Sequence, residues 1–197
     1  MIRAIAVCAA VLLTAVSSPA LGQQRGNRAL ATVIADYEQA ARRNDPMTAA
    51  SEGDRAALRV LPDASREVEL AYRAELLALR TRLERVPTRG LNEEDALNRA
   101  YLLRVITQTI ESTDLDFGRA PISNGDGYFT LGDYLAYTTP IQSADDAEAW
   151  LARLELIPAY YEQNVANARR GIESGYTQPR IVVDRALETA RAQIATL

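Results

Sequence analysis

Apolar residues recur at helical spacing along most of this chain, and that pattern restricts it to a helical fold. The clearest stripe advances in steps of three or four residues and consists of Val68, Tyr72, Leu76, Leu79, Leu83 and Val86. Such steps keep side chains on one face of a helix, whereas no stretch alternates with the period of two that a half-buried strand requires. The sequence therefore predicts an all-α protein, an irregular bundle of about five long helices and one or two short ones.

Capping residues predict where several of these helices begin. Asp45 stands before Pro46, which suits an N-cap followed by the first helical position, and Asn92 precedes three acidic residues that oppose the helix dipole favourably. Two tracts resemble capping boxes with Asp in place of Glu, namely Thr130-x-x-Asp133 and Ser143-x-x-Asp146. Pro158 either kinks a helix there or starts the next one.

Residues 114–127 form the one long irregular segment, because glycine, proline and asparagine interrupt any regular element there. Aromatic residues are concentrated in this loop and just after it. Such a loop would line a binding pocket, and the candidate contacts for a substrate groove are Asn124, Asp126, Tyr128 and Arg180. The alternative, which we favour, is that the aromatic residues fasten the loop onto the helices.

The tract at 124–127 also resembles part of a calcium-binding loop. Alignment with an EF-hand places Asn124, Asp126 and Asp133 at ligand positions. The first position would then hold Ile122, which has no oxygen ligand to offer. A turn accounts better for these residues, because asparagine, aspartate and glycine tolerate positive φ.

Two further sets of charged residues are candidates for chemistry. Asp114 and Asp116 would be an acid and base pair of the kind that glycosidases use, although nothing else in the sequence supports catalysis there. Arg180, together with Arg169 and Arg170, would bind an anionic ligand through bidentate contacts. Solvated helix ends explain these arginines equally simply.

Composition excludes several classes of function. All 22 basic residues are arginine, and the chain has no histidine. It therefore lacks a Schiff-base lysine, a histidine general base and a histidine metal ligand. The single cysteine, Cys8, has no second cysteine with which to form a disulfide or a thiolate metal site. The net charge of −4 argues against a nucleic-acid partner, which requires clustered positive charge.

Residues 1–22 resemble a cleaved export signal. Arg3 precedes an apolar run of about 13 residues, and small residues at the −3 and −1 positions predict cleavage before Gln23. A transmembrane anchor would need roughly 20 apolar residues. A lipid anchor at Cys8 is disfavoured because this residue lies inside the apolar run. We therefore expect residues 23–197 to form one domain, periplasmic or extracellular, with no membrane attachment after cleavage.

The most distinctive tract of the chain lies within residues 147–195 and reads AEAWLARLELIPAYYEQNVANARRGIESGYTQPRIVVDRALETARAQI. A helix ends in an Ile-Pro step, and an aromatic-rich helix, a glycine turn and a Pro-Arg-x-Val-Val helix start follow. This order resembles the bacterial domain-of-unknown-function family 885. Asp45-Pro46, the leucine-rich helix at 65–86, the Asn92-Glu-Glu-Asp start and the loop at 120–127 follow the family's order as well.

The resemblance implies exported proteins similar to zinc-dependent metallopeptidases, with a His-Glu metal motif in their C-terminal half. No residue of this chain can be assigned to that motif. The resemblance therefore implies that residues 23–197 are the helical N-terminal region of a longer protein, without a cofactor or catalysis of their own. Zinc would be held by a C-terminal catalytic half, which would be the partner of this region, and the whole protein would act on a peptide-like substrate.

The alternative is a stand-alone periplasmic helical binding or scaffold protein. The two interpretations differ in the surface that they predict. A region of a longer protein should expose a large apolar patch on its last helix and on the loop at 114–127, whereas a self-sufficient domain should not.

Overall fold

The computed structural model describes residues 26–124 and 126–195, and this part of the chain is helical as predicted. Its helices are α1 (Arg28–Asn44), α2 (Pro46–Ser51), α3 (Arg66–Glu84), α4 (Glu93–Asp114), α5 (Leu131–Thr138), α6 (Ala144–Leu154), α7 (Ile157–Glu173) and α8 (Arg180–Ala195). Short 3₁₀ turns occupy Ala56–Arg59, Phe117–Arg119 and Tyr128–Thr130. The predicted export signal lies outside the described residues.

The loop after α4 is more regular than expected. It contains the 3₁₀ turn Phe117–Arg119 and two short antiparallel strands, β1 (Ile122–Ser123) and β2 (Asp126–Gly127). Helix α4 also continues through Asp114, so the irregular segment begins one residue later than predicted. Strand pairing at this point agrees with a turn between the strands rather than with an EF-hand loop.

Side-chain caps confirm most of the predicted helix starts. Asp45, Asn92 and Ser143 each accept a hydrogen bond from the backbone N–H three residues later, at 3.0, 2.7 and 3.2 Å. The predicted box at Thr130 is wrong, because this hydroxyl donates to Asp126 and to the Gly127 carbonyl oxygen instead. Pro158 lies in the first turn of α7 and so starts a helix rather than kinking one.

The main core lies between α1, α3 and α4. Its buried members are Leu30, Val33, Ala40, Leu76, Leu79, Leu83, Val86, Leu102, Ile106 and Ile110. The predicted stripe of α3 is therefore buried from Leu76 onward. Its N-terminal part is not, since Val68 is 37% exposed and Tyr72 is half-buried beside a cleft.

A smaller core joins α2, the turn Ala56–Arg59 and α6. Its buried members are Ala49, Ala50, Ala57, Leu58 and Ala149. Buried polar groups supplement these small side chains: Asp146 forms an ion pair with Arg55, and Arg153 donates to the Ala57 carbonyl oxygen. Burial lowers the pKa of Arg153.

Helices α7 and α8 pack differently from the rest. The buried residues of α7 are Asn164, Asn167 and Gly171, and α8 buries Ala186. Gly171 allows the turn after α4 to approach closely, since a Cβ at this position would overlap the carbonyl oxygen of Arg119. Arg119 in turn lies over the ring of Tyr176, with its guanidinium carbon 4.3 Å from the ring centroid.

Within residues 26–124 and 126–195, no helix combines the length and the apolar character that crossing a membrane requires.

Candidate functional site

A cleft of about 590 Å³ separates the start of α3 and the end of α4 from the β1–β2 loop and α7. This volume lies within the range of small-ligand sites. The lining is mostly polar and aromatic and consists of Asn44, Pro62, Asp63, Ala64, Glu69, Tyr72, Thr109, Ser112, Thr113, Gly118, Pro121, Asp126, Gly127, Tyr128, Tyr160, Asn164 and Asn167.

Amide side chains of α7 hold one wall of the cleft in place. Gln163 Oε1 accepts a hydrogen bond from the backbone N–H of Ala64 at 2.9 Å, and Asn167 Nδ2 donates to the Ala64 carbonyl oxygen at 2.7 Å. Asn164 Nδ2 donates to the carbonyl oxygen of Tyr160 at 2.8 Å. Buried polar groups need such partners, and the amides of Gln163 and Asn167 bind the segment before α3 to α7.

An arginine cluster fixes the loop that follows α4. Asp116 adopts a left-handed conformation, with φ of 53°, and its carboxylate contacts Arg170 at 2.8 Å and Arg66 at 3.3 Å. Asp114 accepts hydrogen bonds from Arg73 Nε and Nη2 at 2.6 and 3.0 Å. Asp114 and Asp116 therefore join the loop to α3 and α7.

This geometry does not suit the acid and base pair considered from the sequence. The hydrogen bond from Arg73 lowers the pKa of Asp114 below its ordinary value. A general acid that works near neutral pH needs a raised pKa instead. The role that the structure assigns to these carboxylates is to position the loop.

Asp126 is held as a carboxylate at the mouth of the cleft. Its Oδ1 accepts hydrogen bonds from the Thr130 hydroxyl and from the backbone N–H of Gly127, the latter at 2.7 Å. These two bonds lower the pKa of Asp126. A negative charge therefore stands at the edge of the site at neutral pH.

Three tyrosines, Tyr72, Tyr128 and Tyr160, line the cleft. Burial raises the pKa of Tyr72 to about 12, and burial also raises that of Tyr160, against a smaller lowering by the Asn164 amide. Tyr128 packs edge-on against Tyr161, with ring centroids 5.3 Å apart. The phenol groups of Tyr72 and Tyr160 are therefore neutral, and their role is to supply ring faces and hydroxyl groups.

The structure brings together two of the four candidate contacts predicted from the sequence. Asp126 and Tyr128 line the cleft, whereas Asn124 accepts a hydrogen bond from Arg185 of α8 at 3.0 Å. Arg180 lies at the start of α8, where its side chain is 93% exposed and its nearest carboxylate is Asp184 at 3.4 Å.

Sequence reasoning missed the lining that comes from α3 and α7, which includes Glu69, Tyr72, Tyr160, Asn164 and Asn167. One signal was available. Three amide side chains at 163, 164 and 167 share one face of a predicted helix. A polar face inside a packed helix indicates backbone contacts or a ligand.

The described residues contain no group of three or more cysteine, aspartate or glutamate side chains arranged to hold a metal ion. The oxygens that the EF-hand alignment would place at ligand positions have separate partners: Asn124 contacts Arg185, Asp126 contacts Thr130, and Asp133 accepts from Gln193 at 3.2 Å.

Comparison with protein families gives a match over most of the chain. The model of a family described as "Bacterial protein of unknown function (DUF885)" matches residues 46–197, which is well over half of the chain. No curated protein and no solved structure matches the chain significantly.

Proposed function

The chain belongs to the bacterial family of unknown function DUF885, and on that premise we propose that it is a helical, non-catalytic region of an exported protein related to zinc metallopeptidases. In this proposal a separate catalytic region packs beside α7 and α8, and the two regions together bind a peptide-like substrate. The protein works in the periplasm or outside the cell.

The residues present do not fit a zinc site of the metallopeptidase type. Such a site uses histidine ligands and a glutamate that activates the bound water. The chain has no histidine, and its one cysteine lies outside the described residues. No step of hydrolysis is therefore assigned to these residues, and the zinc belongs to the catalytic region.

The observation that carries the proposal is the apolar surface of α7, α8 and the turn between them. These elements expose large apolar side chains, namely Ile172, Tyr176, Ile181, Val183, Leu187 and Ile194. Ile172 and Ile194 are 68% and 70% exposed, whereas α8 buries Ala186. Val183, Leu187 and Ile194 share one face of α8, and exposed apolar surface of this kind is typical of a face that another protein region covers. Leu115 and Phe117, in the loop after α4, are exposed as well.

The position of the cleft supports a part in substrate binding. Its walls come from five separate parts of the chain, and polar contacts hold them in place. A groove that is formed in advance, rather than on binding, loses less conformational entropy when a ligand enters. The cleft would thus extend the substrate groove of the catalytic region.

Sequencing of the source DNA beyond the codon for Leu197 tests the proposal most directly. We expect an open reading frame that continues into a His-Glu metal motif. A stop codon directly after Leu197 would overturn the proposal and favour a stand-alone periplasmic binding or scaffold protein. The compact core of α1, α3 and α4 is the observation that favours this alternative.

A peptidase assay of the purified protein with added zinc provides a second test. We expect no hydrolysis of a general peptide mixture, because the chain offers no histidine ligand. Zinc-dependent hydrolysis that a chelator abolishes would contradict the assignment of catalysis to another region.

A further inference from the structure

We propose that the cleft binds a cationic group, a guanidinium or an ammonium, carried by a peptide or by a free amine. The inference deepens the proposed function, and it rests on that function for the view that the occupant is a peptide. The binding of the cation itself depends on the residues of the cleft alone.

The first support is the charge of the lining. Asp63, Glu69 and Asp126 line the cleft, and none of the described lining residues is arginine, although the chain has 22 basic residues. Glu69 is balanced by Arg66, whose Nη1 lies 2.7 Å from its carboxylate. Within the described part of the chain, no arginine nitrogen lies within 4.0 Å of a carboxylate oxygen of Asp63 or Asp126, so neither residue forms an ion pair with an arginine. The cleft therefore carries uncompensated negative charge.

The second support is the aromatic lining. A guanidinium or ammonium is attracted to the face of an aromatic ring, and the attraction grows when the pair is shielded from water. Tyr72 and Tyr160 are half-buried, and Tyr128 is held by edge-on contacts with Phe129 and Tyr161. Tyrosine rings and carboxylates line the same cleft, and both attract organic cations.

The third support is a buried hydrogen-bond acceptor. Asn164 is 6% exposed and lines the cleft. Its Nδ2 donates to the Tyr160 carbonyl oxygen, and its Oδ1 is an acceptor on the same buried side chain. Guanidinium and ammonium groups carry donors and no acceptor, so they match this oxygen as well as the carboxylates.

The test compares two ligands that differ in charge and scarcely in shape. Argininamide carries a guanidinium, and citrullinamide replaces it with a neutral urea. We expect isothermal titration calorimetry of the purified protein at low salt to give a Kd of about 1 mM or tighter for argininamide. Citrullinamide should bind at least about tenfold more weakly, and the difference should shrink as salt is added.

Two matched double variants test the location. In Asp63→Asn with Asp126→Asn, each new side chain keeps an oxygen to accept the local backbone N–H, so the loop geometry is preserved. We expect argininamide binding to weaken at least about tenfold. Glu148→Gln with Glu188→Gln removes the same charge from exposed positions on α6 and α8, and should leave binding unchanged.

Circular dichroism and thermal melts would confirm that each variant folds. Equal binding of the two ligands, no binding of argininamide by the folded protein, or equal losses in the two double variants would overturn the proposal. These results are separable from the proposed function. If the DNA sequence continues into the metal motif but argininamide does not bind, only the proposal of a cation site is overturned. If a stop codon follows Leu197 but argininamide binds specifically, the proposal of a cation site stands and the proposed function is overturned.

Discussion

Helices α1, α3 and α4 bury leucine and isoleucine side chains against one another, whereas α7 buries two asparagines and a glycine. The first region is stabilised by the removal of apolar surface from water, which is not directional. The second is held by a few directional hydrogen bonds and by one close backbone approach, and its Ile172 remains exposed. The contrast teaches that the stability of this protein and the shape of its cleft have separate physical origins.

The largest expected effect is the truncation of a core leucine. Leu76 is fully buried between α1, α3 and α4, so Leu76→Ala should lower the free energy of unfolding by about 2–5 kcal/mol. The matched control Leu187→Ala, on the exposed face of α8, should cost less than about 1 kcal/mol. Urea unfolding followed by circular dichroism measures both. Equal losses would show that α8 shares the core.

A methyl group at Gly171 should separate α7 from the loop after α4. The added Cβ would overlap the Arg119 carbonyl oxygen and lie 2.8 Å from that of Tyr176, and strain of this kind costs about 1–3 kcal/mol. Hydrogen exchange should report faster opening of α7, with the core helices protected as before. Gly132→Ala is the control, because it adds the same methyl group in open space within α5. Unchanged exchange in α7 would contradict the close approach.

Loss of the Asn167 amide should weaken the wall of the cleft. Asn167→Ala leaves the Ala64 carbonyl oxygen without its donor and Arg170 without one acceptor, which should cost about 1–3 kcal/mol. Asn98→Ala, at an exposed position of α4, should stay within about 0.5 kcal/mol. Chemical denaturation compares the two variants. If they are equally stable, the polar contacts of α7 contribute nothing measurable.

The smallest expected effect concerns the pair of Asp114 and Arg73, because both groups are exposed to solvent and screened by salt. The hydrogen bond lowers the pKa of Asp114 in the folded protein below its ordinary value of 3.8. The resulting stabilisation is present above that value and is lost as the pH falls through the folded pKa.

Carboxyl ¹³C NMR titration measures this shift directly. Arg73→Gln should return the pKa of Asp114 towards 3.8, because the hydrogen bond from Arg73 is the largest cause of the lowering. Arg104→Gln, which removes an exposed arginine of α4, should leave it low. A pKa unchanged by Arg73→Gln would assign the shift to other charges.

Local patterns in the sequence were sufficient for the helices and most of their caps. The stripe of α3 and the caps at Asp45, Asn92 and Ser143 depend on neighbours three or four residues away, and all three caps were confirmed. The failure at Thr130 has a physical reason. Its hydroxyl donates to Asp126, four residues earlier, a competing interaction that the capping pattern does not include.

The candidate site was predictable only in part. Asp126 and Tyr128 stood out because the loop composition is unusual, but Asn164 and Tyr72 lie on helices whose patterns indicated packing. Tyr72 even belongs to the stripe that predicted the core. Which part of a stripe is buried depends on how far the neighbouring helices extend, and periodicity carries no information about that.

The sequence by itself determined the helical class of this protein and most of its helix starts, because each depends on residue type or on short-range spacing. Tertiary structure decided the cleft. Its walls meet through Asn167 and Ala64, 103 residues apart, and through Arg170 and Asp116, 54 residues apart. Such contacts form only after the helices pack, since hydrogen bonds and ion pairs act over a few ångströms and no local pattern encodes which distant groups will come that close.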